Sequence, residues 1–182
     1  MAINITIASG EIADGKIWKA GESISVSAGG TLSNSEITAA ANSLTLNANS
    51  VVSGALNVGA SVTVNGTINA ADADIIWNIS DRKEEAGLLW SNLASSSAKS
   101  YSIMVDSNQN KGTYRIAGNA ANFNQPITIV NESGVSLGSL SISNNVLDFD
   151  ITRYTLAVND AGELTLNVAS NISDEDKFVF LY

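Results

Sequence analysis

Residues 24–32 read Ile-Ser-Val-Ser-Ala-Gly-Gly-Thr-Leu, and residues 44–52 repeat the pattern as Leu-Thr-Leu-Asn-Ala-Asn-Ser-Val-Val. Each stretch begins with an apolar–Ser/Thr–apolar triplet, continues through small turn-forming residues, and returns to an apolar residue. The triplet occurs at Ile5–Ile7, Ile24–Val26, Leu44–Leu46 and Val62–Val64. These triplets start 19, 20 and 18 residues apart, which indicates an internal structural repeat.

Two further apolar columns keep nearly the same period. The second column runs through Ile12, Leu32, Val52 and Ile68, and the third runs through Ile17, Ile37, Leu56 and Ile75. Three short strands in each turn, stacked turn on turn, would align the three columns into one continuous core. The repeat therefore predicts an all-β chain with a β-solenoid of about four turns over residues 1–80. An ordinary β-sandwich with evenly spaced hairpins is the alternative.

The solenoid hypothesis also predicts which side chains are buried. Side chains on a strand alternate between its two faces, so the outer residues of a triplet point opposite to the middle one. We therefore expect Leu44 and Leu56 to be buried in the middle turns. The middle residues of the triplets should form a polar ladder on the outside, and these are Thr6, Ser25, Thr45 and Thr63.

The two quoted stretches resemble the repeats of AIDA-type autotransporter passengers, which are bacterial surface adhesins whose passengers form β-helices. The resemblance covers roughly residues 3–80. It implies a surface or secreted structural or adhesive protein, and a chain that is a fragment of a longer adhesin-like passenger. Because the repeat is degenerate, it implies an architecture and does not identify a ligand.

A second region, residues 81–182, has a different pattern. A charge cluster at 81–85 is followed by Leu88, Leu89 and Leu93, which predicts a short amphipathic helix near 81–94, with Glu84 in a capping box. Strands that continue or cap the solenoid are predicted at Tyr101–Val105, Thr113–Ala117, Ile127–Val130, Ser136–Ile142, Leu147–Ile151, Tyr154–Val158, Glu163–Val168 and Phe178–Tyr182. The sequence Asn-Asp-Ala-Gly at 159–162 predicts a hairpin turn between two of them.

Composition excludes several classes of function. The chain has a net charge of −9, and its nine Lys and Arg residues are scattered, which argues against binding to nucleic acid or anionic lipid. It contains no His and no Cys, so it lacks the commonest general base, most zinc ligands and any thiol nucleophile. We therefore expect no enzymatic activity, no catalytic residues, no cofactor and no metal.

Two alternatives to an adhesive protein stay open. A β-helical polysaccharide lyase or hydrolase could use the carboxylate pairs Asp72 with Asp74 and Asp148 with Asp150. A carbohydrate-binding module would need an exposed aromatic side chain. We expect Trp77 and Trp90 in the core and Trp18 pointing outward, which makes Trp18 the candidate ligand-binding residue. The candidate partners are a host or bacterial surface glycan or protein, or a second copy of the chain.

Overall fold

The computed structural model describes residues 3–142 and 153–169, and within them the chain forms fifteen β-strands and no helix. The strands in chain order are β1 (Ile3–Ile7), β2 (Ile12–Asp14), β3 (Ile17–Trp18), β4 (Glu22–Val26), β5 (Thr31–Ile37), β6 (Ser43–Leu46), β7 (Val51–Val58), β8 (Val62–Val64), β9 (Asn69–Asn78), β10 (Ala98–Met104), β11 (Gly112–Ala117), β12 (Ile127–Val130), β13 (Ser136–Leu140), β14 (Tyr154–Val158) and β15 (Leu164–Val168). The predicted all-β class is confirmed.

The first four turns form a parallel β-solenoid, as the repeat predicts. The first sheet has the strand order β1-β4-β6-β8, with every pair parallel. The returning halves of the turns form the second sheet, in which β2 and β3 pair with β5, followed by β7 and β9. Each turn therefore contributes one strand to the first sheet and one strand, or in the first turn the two short strands β2 and β3, to the second sheet, with the apolar side chains between the sheets.

The long strands of the second sheet bend in the middle. β5 bends at Asn34, which has a φ of 45°, and β7 bends at Gly54, which has a φ of 65°. The pairing of β5 with β7 shifts register at this corner. Asn and Gly tolerate this left-handed conformation better than other residues, so their positions decide where a turn changes direction. Each turn thus consists of three short straight arms, as the three columns predict.

The first predicted column is confirmed in register. Ile5 lies beside Ile24, Ile24 beside Leu44, and Leu44 beside Val62. Leu44 and Leu56 are 0% and 1% exposed, which confirms the burial predicted for the middle turns.

The second and third columns were only partly correct. Leu32 pairs with Val52 and Leu56 pairs with Ile75, as predicted. Ile12 instead pairs with Thr31 and is 70% exposed. The third column is displaced as well, since Ile37 pairs with Val58 rather than with Leu56. For Ile37 the reason is the corner, because between paired positions β5 has one residue and β7 has two, and a constant spacing loses the register there. For Ile12 the reason is that β2 and β5 pair at an offset of 19 residues rather than 20.

The helix predicted near 81–94 is wrong. The segment forms turns, with Arg82 N–H donating to Ile79 C=O and Ala86 N–H to Lys83 C=O, and it then extends beside β8. Trp90 bridges Val62 on one side and Ala117 on the other, so this segment continues the first sheet. Backbone pairing with the open edge of β8 overrides the local helical pattern, and no capping box forms at Glu84.

The remaining described strands continue and then close the stack. β10 and β12 add to the second sheet in parallel, and β13 ends this sheet in antiparallel pairing. β11 pairs with β15, and β15 with β14, both antiparallel. The predicted hairpin turn is confirmed, because Gly162 has a φ of 76° and donates its N–H to Asn159 C=O.

Some predictions cannot be compared with the structure. The strands predicted at Leu147–Ile151 and Phe178–Tyr182 lie outside the described residues, as do Asp148 and Asp150.

Within residues 3–142 and 153–169, no helix has the length and apolar character needed to cross a membrane.

Candidate binding face

The outward surface of the first sheet carries a regular array of small polar side chains. The predicted ladder is confirmed, with Thr6 beside Ser25, Ser25 beside Thr45, and Thr45 beside Thr63. A second ladder lies two residues earlier in each turn. Together they form what we call the hydroxyl face, made of Asn4, Thr6, Ser23, Ser25, Ser43, Thr45, Ser61 and Thr63.

Alternation along the strands explains why these side chains face outward. Ile24, Val26, Leu44 and Leu46 are at most 1% exposed, so the residues between and before them must point away from the core. Every member of the hydroxyl face is partly or fully exposed. Adjacent strands lie about 4.8 Å apart, and alternate residues of one strand are about 6.6 Å apart. The face is therefore a flat lattice with two fixed spacings.

An amide ladder fixes one border of the hydroxyl face. Asn47 Nδ2 donates to Ser25 Oγ at 3.1 Å and to Val26 C=O at 3.0 Å. Asn65 Nδ2 donates to Asn47 Oδ1 at 3.3 Å in the next turn. Within the described part of the chain the hydroxyls of Thr45 and Thr63 have no hydrogen-bond partner. They are available to a ligand that both donates and accepts hydrogen bonds.

The hydroxyl face has no ionisable side chain, although the whole chain has a net charge of −9. Ionic attraction therefore contributes little to any contact made there. The sequence prediction named only the middle residue of each triplet and missed Asn4, Ser23, Ser43 and Ser61. Their position two residues before that middle residue, on the same side of the strand, is the signal that could have found them.

The outward orientation predicted for Trp18 is wrong. Trp18 is 8% exposed, whereas the neighbouring Ile17 is 57% exposed. Trp18 pairs with Ile37 and Ile17 with Glu36, so alternation turns the indole into the core. A ligand-contact role for Trp18 thus loses the geometry on which it was predicted. Trp77 and Trp90 are both 0% exposed, which confirms their predicted place in the core.

The carboxylate pair at 72 and 74 lies on the outer side of β9, since Ala73 between them is buried. Asp72 pairs with Ser53 and Asp74 with Ala55. Asp74 Oδ1 accepts a hydrogen bond of 2.6 Å from Ser100 Oγ, a contact between neighbouring turns. The predicted shared face is confirmed. Among the residues that the structure describes, no three carboxylate, His or Cys groups come together as a metal site would require.

Two carboxylates in the described ranges have lowered pKa values for structural reasons. Hydrogen bonds from Ser33 Oγ at 2.7 Å and Asn34 Nδ2 at 3.0 Å lower the pKa of Asp14 at a solenoid corner. Hydrogen bonds from Arg115 and Asn159 lower the pKa of Glu163 beside the hairpin turn. Both carboxylates link strands or stabilise a turn, and neither lies on the hydroxyl face.

No protein-family model matches this chain significantly, and no curated protein or solved structure does so either.

Proposed function

We propose that this chain is a non-enzymatic structural and adhesive protein of the bacterial cell surface or its extracellular surroundings, and a fragment of an adhesin-like passenger. The observation that carries the proposal is the hydroxyl face, a flat and uncharged array on a strongly acidic chain. The likeness of the repeats to AIDA-type passengers supports the surface location. The absence of His and Cys supports the non-enzymatic part.

The geometry of the hydroxyl face suits contact with an extended surface. One hydrogen bond contributes only about 0.5–1.5 kcal/mol net, because each one replaces a bond to water. Useful attachment therefore needs many such bonds at once, which a rigid lattice provides without ordering loose side chains. A glycan or glycoprotein layer presents hydroxyl and amide groups at comparable density. Attachment of this kind should depend little on salt, because no ion pairs are involved.

A pair of double variants tests the proposal. Thr45→Lys with Thr63→Lys places two long cationic side chains on the hydroxyl face. Thr155→Lys with Ala157→Lys adds the same charge at two exposed positions of β14. Retention of the parent and both variants is measured by surface plasmon resonance on immobilised mucin freed of its sialate and sulfate groups and on an immobilised neutral polysaccharide.

We expect the parent to be retained on at least one of these surfaces. The hydroxyl-face variant should bind about tenfold more weakly, a loss of about 1.4 kcal/mol, and the β14 variant should match the parent. Equal loss in both variants would show that added charge, rather than the hydroxyl face, controls retention. That result, or no retention of the parent on either surface, would contradict the proposal.

The alternative function is a carbohydrate-binding module or a fragment of a β-helical polysaccharide-active enzyme. The burial of Trp18 removes the aromatic contact on which the first was predicted. For the hypothesis of a polysaccharide-active enzyme, the carboxylate pair Asp72 and Asp74 does share a face. One other surface of the chain does favour carbohydrate binding, and it shares no residue with the hydroxyl face.

A further inference from the structure

A groove of about 430 Å³ opens where the segment after Trp90 meets the loop that follows β11. Its lining comes from residues 93–101 and 119–125, and we call it the amide groove. The lining includes four carboxamides, Asn119, Asn122, Asn124 and Gln125, and two aromatic side chains, Tyr101 and Phe123. The volume lies within the range of about 300–1,000 Å³ that is typical of small-ligand sites.

The loop that forms the rim is held on both sides. Gly118 N–H donates to Trp90 C=O at 2.8 Å, and Ala120 N–H donates to Gly162 C=O at 2.7 Å. Asn119, with a φ of 50°, donates from Nδ2 to Asn92 Oδ1 at 2.9 Å. A Cβ at position 118 would lie 2.6 Å from Ser91 C=O, so glycine permits this close approach. These contacts fix the backbone of the rim, so the groove is preformed.

The aromatic part of the lining is equally fixed. The Tyr101 ring stacks on Trp77 at 5.4 Å between centroids and meets Phe123 edge to face at 5.1 Å. Tyr101 Oη accepts a hydrogen bond of 2.9 Å from Ala98 N–H. Tyr101 is 6% exposed, whereas Phe123 is only partly buried. Phe123 thus offers an apolar surface to the groove from a rigid support.

The chemistry of the lining restricts the class of ligand. The lining contains no Asp, Glu, Lys or Arg, so a charged ligand would lose hydration without gaining a counter-charge. An entirely apolar ligand would cover carboxamides and leave them without hydrogen bonds, which costs about 1–3 kcal/mol for each group. Each carboxamide both donates and accepts hydrogen bonds, as a sugar hydroxyl does, and an aromatic ring packs against the C–H face of a sugar.

We propose that the amide groove binds a short neutral saccharide, with Asn122 and Phe123 as contact residues. A second groove, of about 510 Å³, differs in this respect, because Asp81, Arg82, Lys83 and Glu85 line it. The saccharide site rests on the amide groove alone and is independent of the hydroxyl face.

Calorimetric titration of the full chain tests the site. The probes are neutral disaccharides containing glucose, galactose or mannose, with glucuronic acid as the charged comparison. We expect at least one neutral disaccharide to bind and glucuronic acid to bind at least about tenfold more weakly. The Thr45→Lys, Thr63→Lys variant should bind the same sugar as the parent does, which separates this site from the hydroxyl face.

Two groove variants identify the contacts. Asn122 has no side-chain hydrogen bond within the described residues, so Asn122→Ala should fold normally and weaken binding about tenfold. Phe123→Leu keeps an apolar side chain but removes the ring, and it should also weaken binding. Asn110→Ala, at an exposed carboxamide elsewhere, is the matched control and should bind as the parent does. The proposal is overturned if no neutral disaccharide binds, if Asn122→Ala binds like Asn110→Ala, or if glucuronic acid binds equally well.

Discussion

The indole rings of Trp77 and Trp90 meet edge to face inside the solenoid, with ring centroids 6.3 Å apart and planes at 70° to each other. Trp77 belongs to β9 of the second sheet, whereas Trp90 bridges β8 and β11 on the other side of the core. This contact therefore joins the two sheets at the point where the regular turns end. Trp90 Nε1 also donates to Ser96 Oγ at 2.8 Å.

We predict that Trp90→Ala lowers the free energy of unfolding by about 3–5 kcal/mol, as other aromatic truncations in cores do. Trp90→Phe should cost less, because it keeps a ring against Trp77 and loses only the indole N–H and part of the volume. Urea denaturation followed by circular dichroism measures both values. A loss below about 1 kcal/mol for the alanine variant would mean that the core refills the space.

A second prediction concerns the middle turns. Leu44 is 0% exposed and lies between Ile24 and Val62, so Leu44→Ala should lower the free energy of unfolding by about 2–5 kcal/mol. Thr45→Ala, at the neighbouring outward position, is the control and should stay within about 0.5 kcal/mol of the parent. Similar losses in the two variants would be incompatible with the observed alternation.

A third prediction concerns the corner at Gly54. A Cβ there would clash with the side chain of Asn34, which donates to Asp14 and accepts from Ala55 N–H, and the φ of +65° already disfavours alanine. Gly10 has a comparable φ of +83° but no atom within 4 Å of an added Cβ. Both alanine variants should be strained by about 1–2 kcal/mol in this left-handed conformation, and Gly54→Ala should lose more because of the clash. Thermal melting of the two variants gives the difference, and equal melting temperatures would argue against the close corner packing.

The Arg115–Glu163 ion pair predicts a small dependence of stability on pH. The pKa of Glu163 is lowered in the folded chain, first by the hydrogen bond from Arg115 and then by that from Asn159. A carboxylate with a lowered folded pKa stabilises the fold above its unfolded pKa, and this contribution disappears as the pH falls through the folded pKa. The Arg115 side chain is 47% exposed, so solvent screening limits the contribution to about 0.2–1 kcal/mol.

Melting curves of the parent and Glu163→Gln at a series of pH values test this dependence. The parent should be slightly more stable at neutral pH, and the difference should begin to shrink as the pH falls below the ordinary carboxyl pKa of 4.5 and vanish once the pH is below the lowered folded pKa. A difference that grows toward acid would reverse the predicted sign.

We also predict that divalent metals do not contribute to stability. No described carboxylates cluster with the spacing of a metal site, so excess chelator should leave the melting temperature unchanged. A bound ion stabilises in proportion to the logarithm of its concentration, so removing one would lower the melting temperature measurably. A fall of several degrees would show that a calcium site exists.

The features that the sequence predicted correctly are those set by strand alternation and local turn chemistry. The column from Ile5 to Val62 follows from a three-residue pattern that recurs in each turn, and the turn at 159–162 follows from four consecutive residues. The displaced column at Ile37 depended on an extra corner residue in β7, which a constant spacing does not reveal. The prediction for Trp18 failed because β3 pairs with β5 at an offset of 19 residues, not the 20 that separate Ile17 from Ile37, and a shift of one residue reverses the face of every side chain on a strand.

The helix near 81–94 and the amide groove depended on contacts between distant segments. Leu89 C=O accepts a hydrogen bond from Val62 N–H at 2.7 Å, and this pairing replaces the helical pattern. The groove exists because Gly118 pairs with Trp90, which places residues 93–98 opposite the loop that contains Asn122. Carboxamides scattered over this part of the sequence give no sign of a shared site until that pairing is known.

The sequence distances between paired residues have a consequence for how the chain folds. Partners in adjacent turns, such as Asp14 with Ser33, are only 19 residues apart, and contacts of such modest separation form quickly. Nearest-neighbour stacking of this kind allows each turn to form on the one before it. Thr113 and Asn167, by contrast, are 54 residues apart. We expect the β14–β15 hairpin to dock last, so the body can assemble progressively as the chain emerges and is closed only when residues 153–169 have followed.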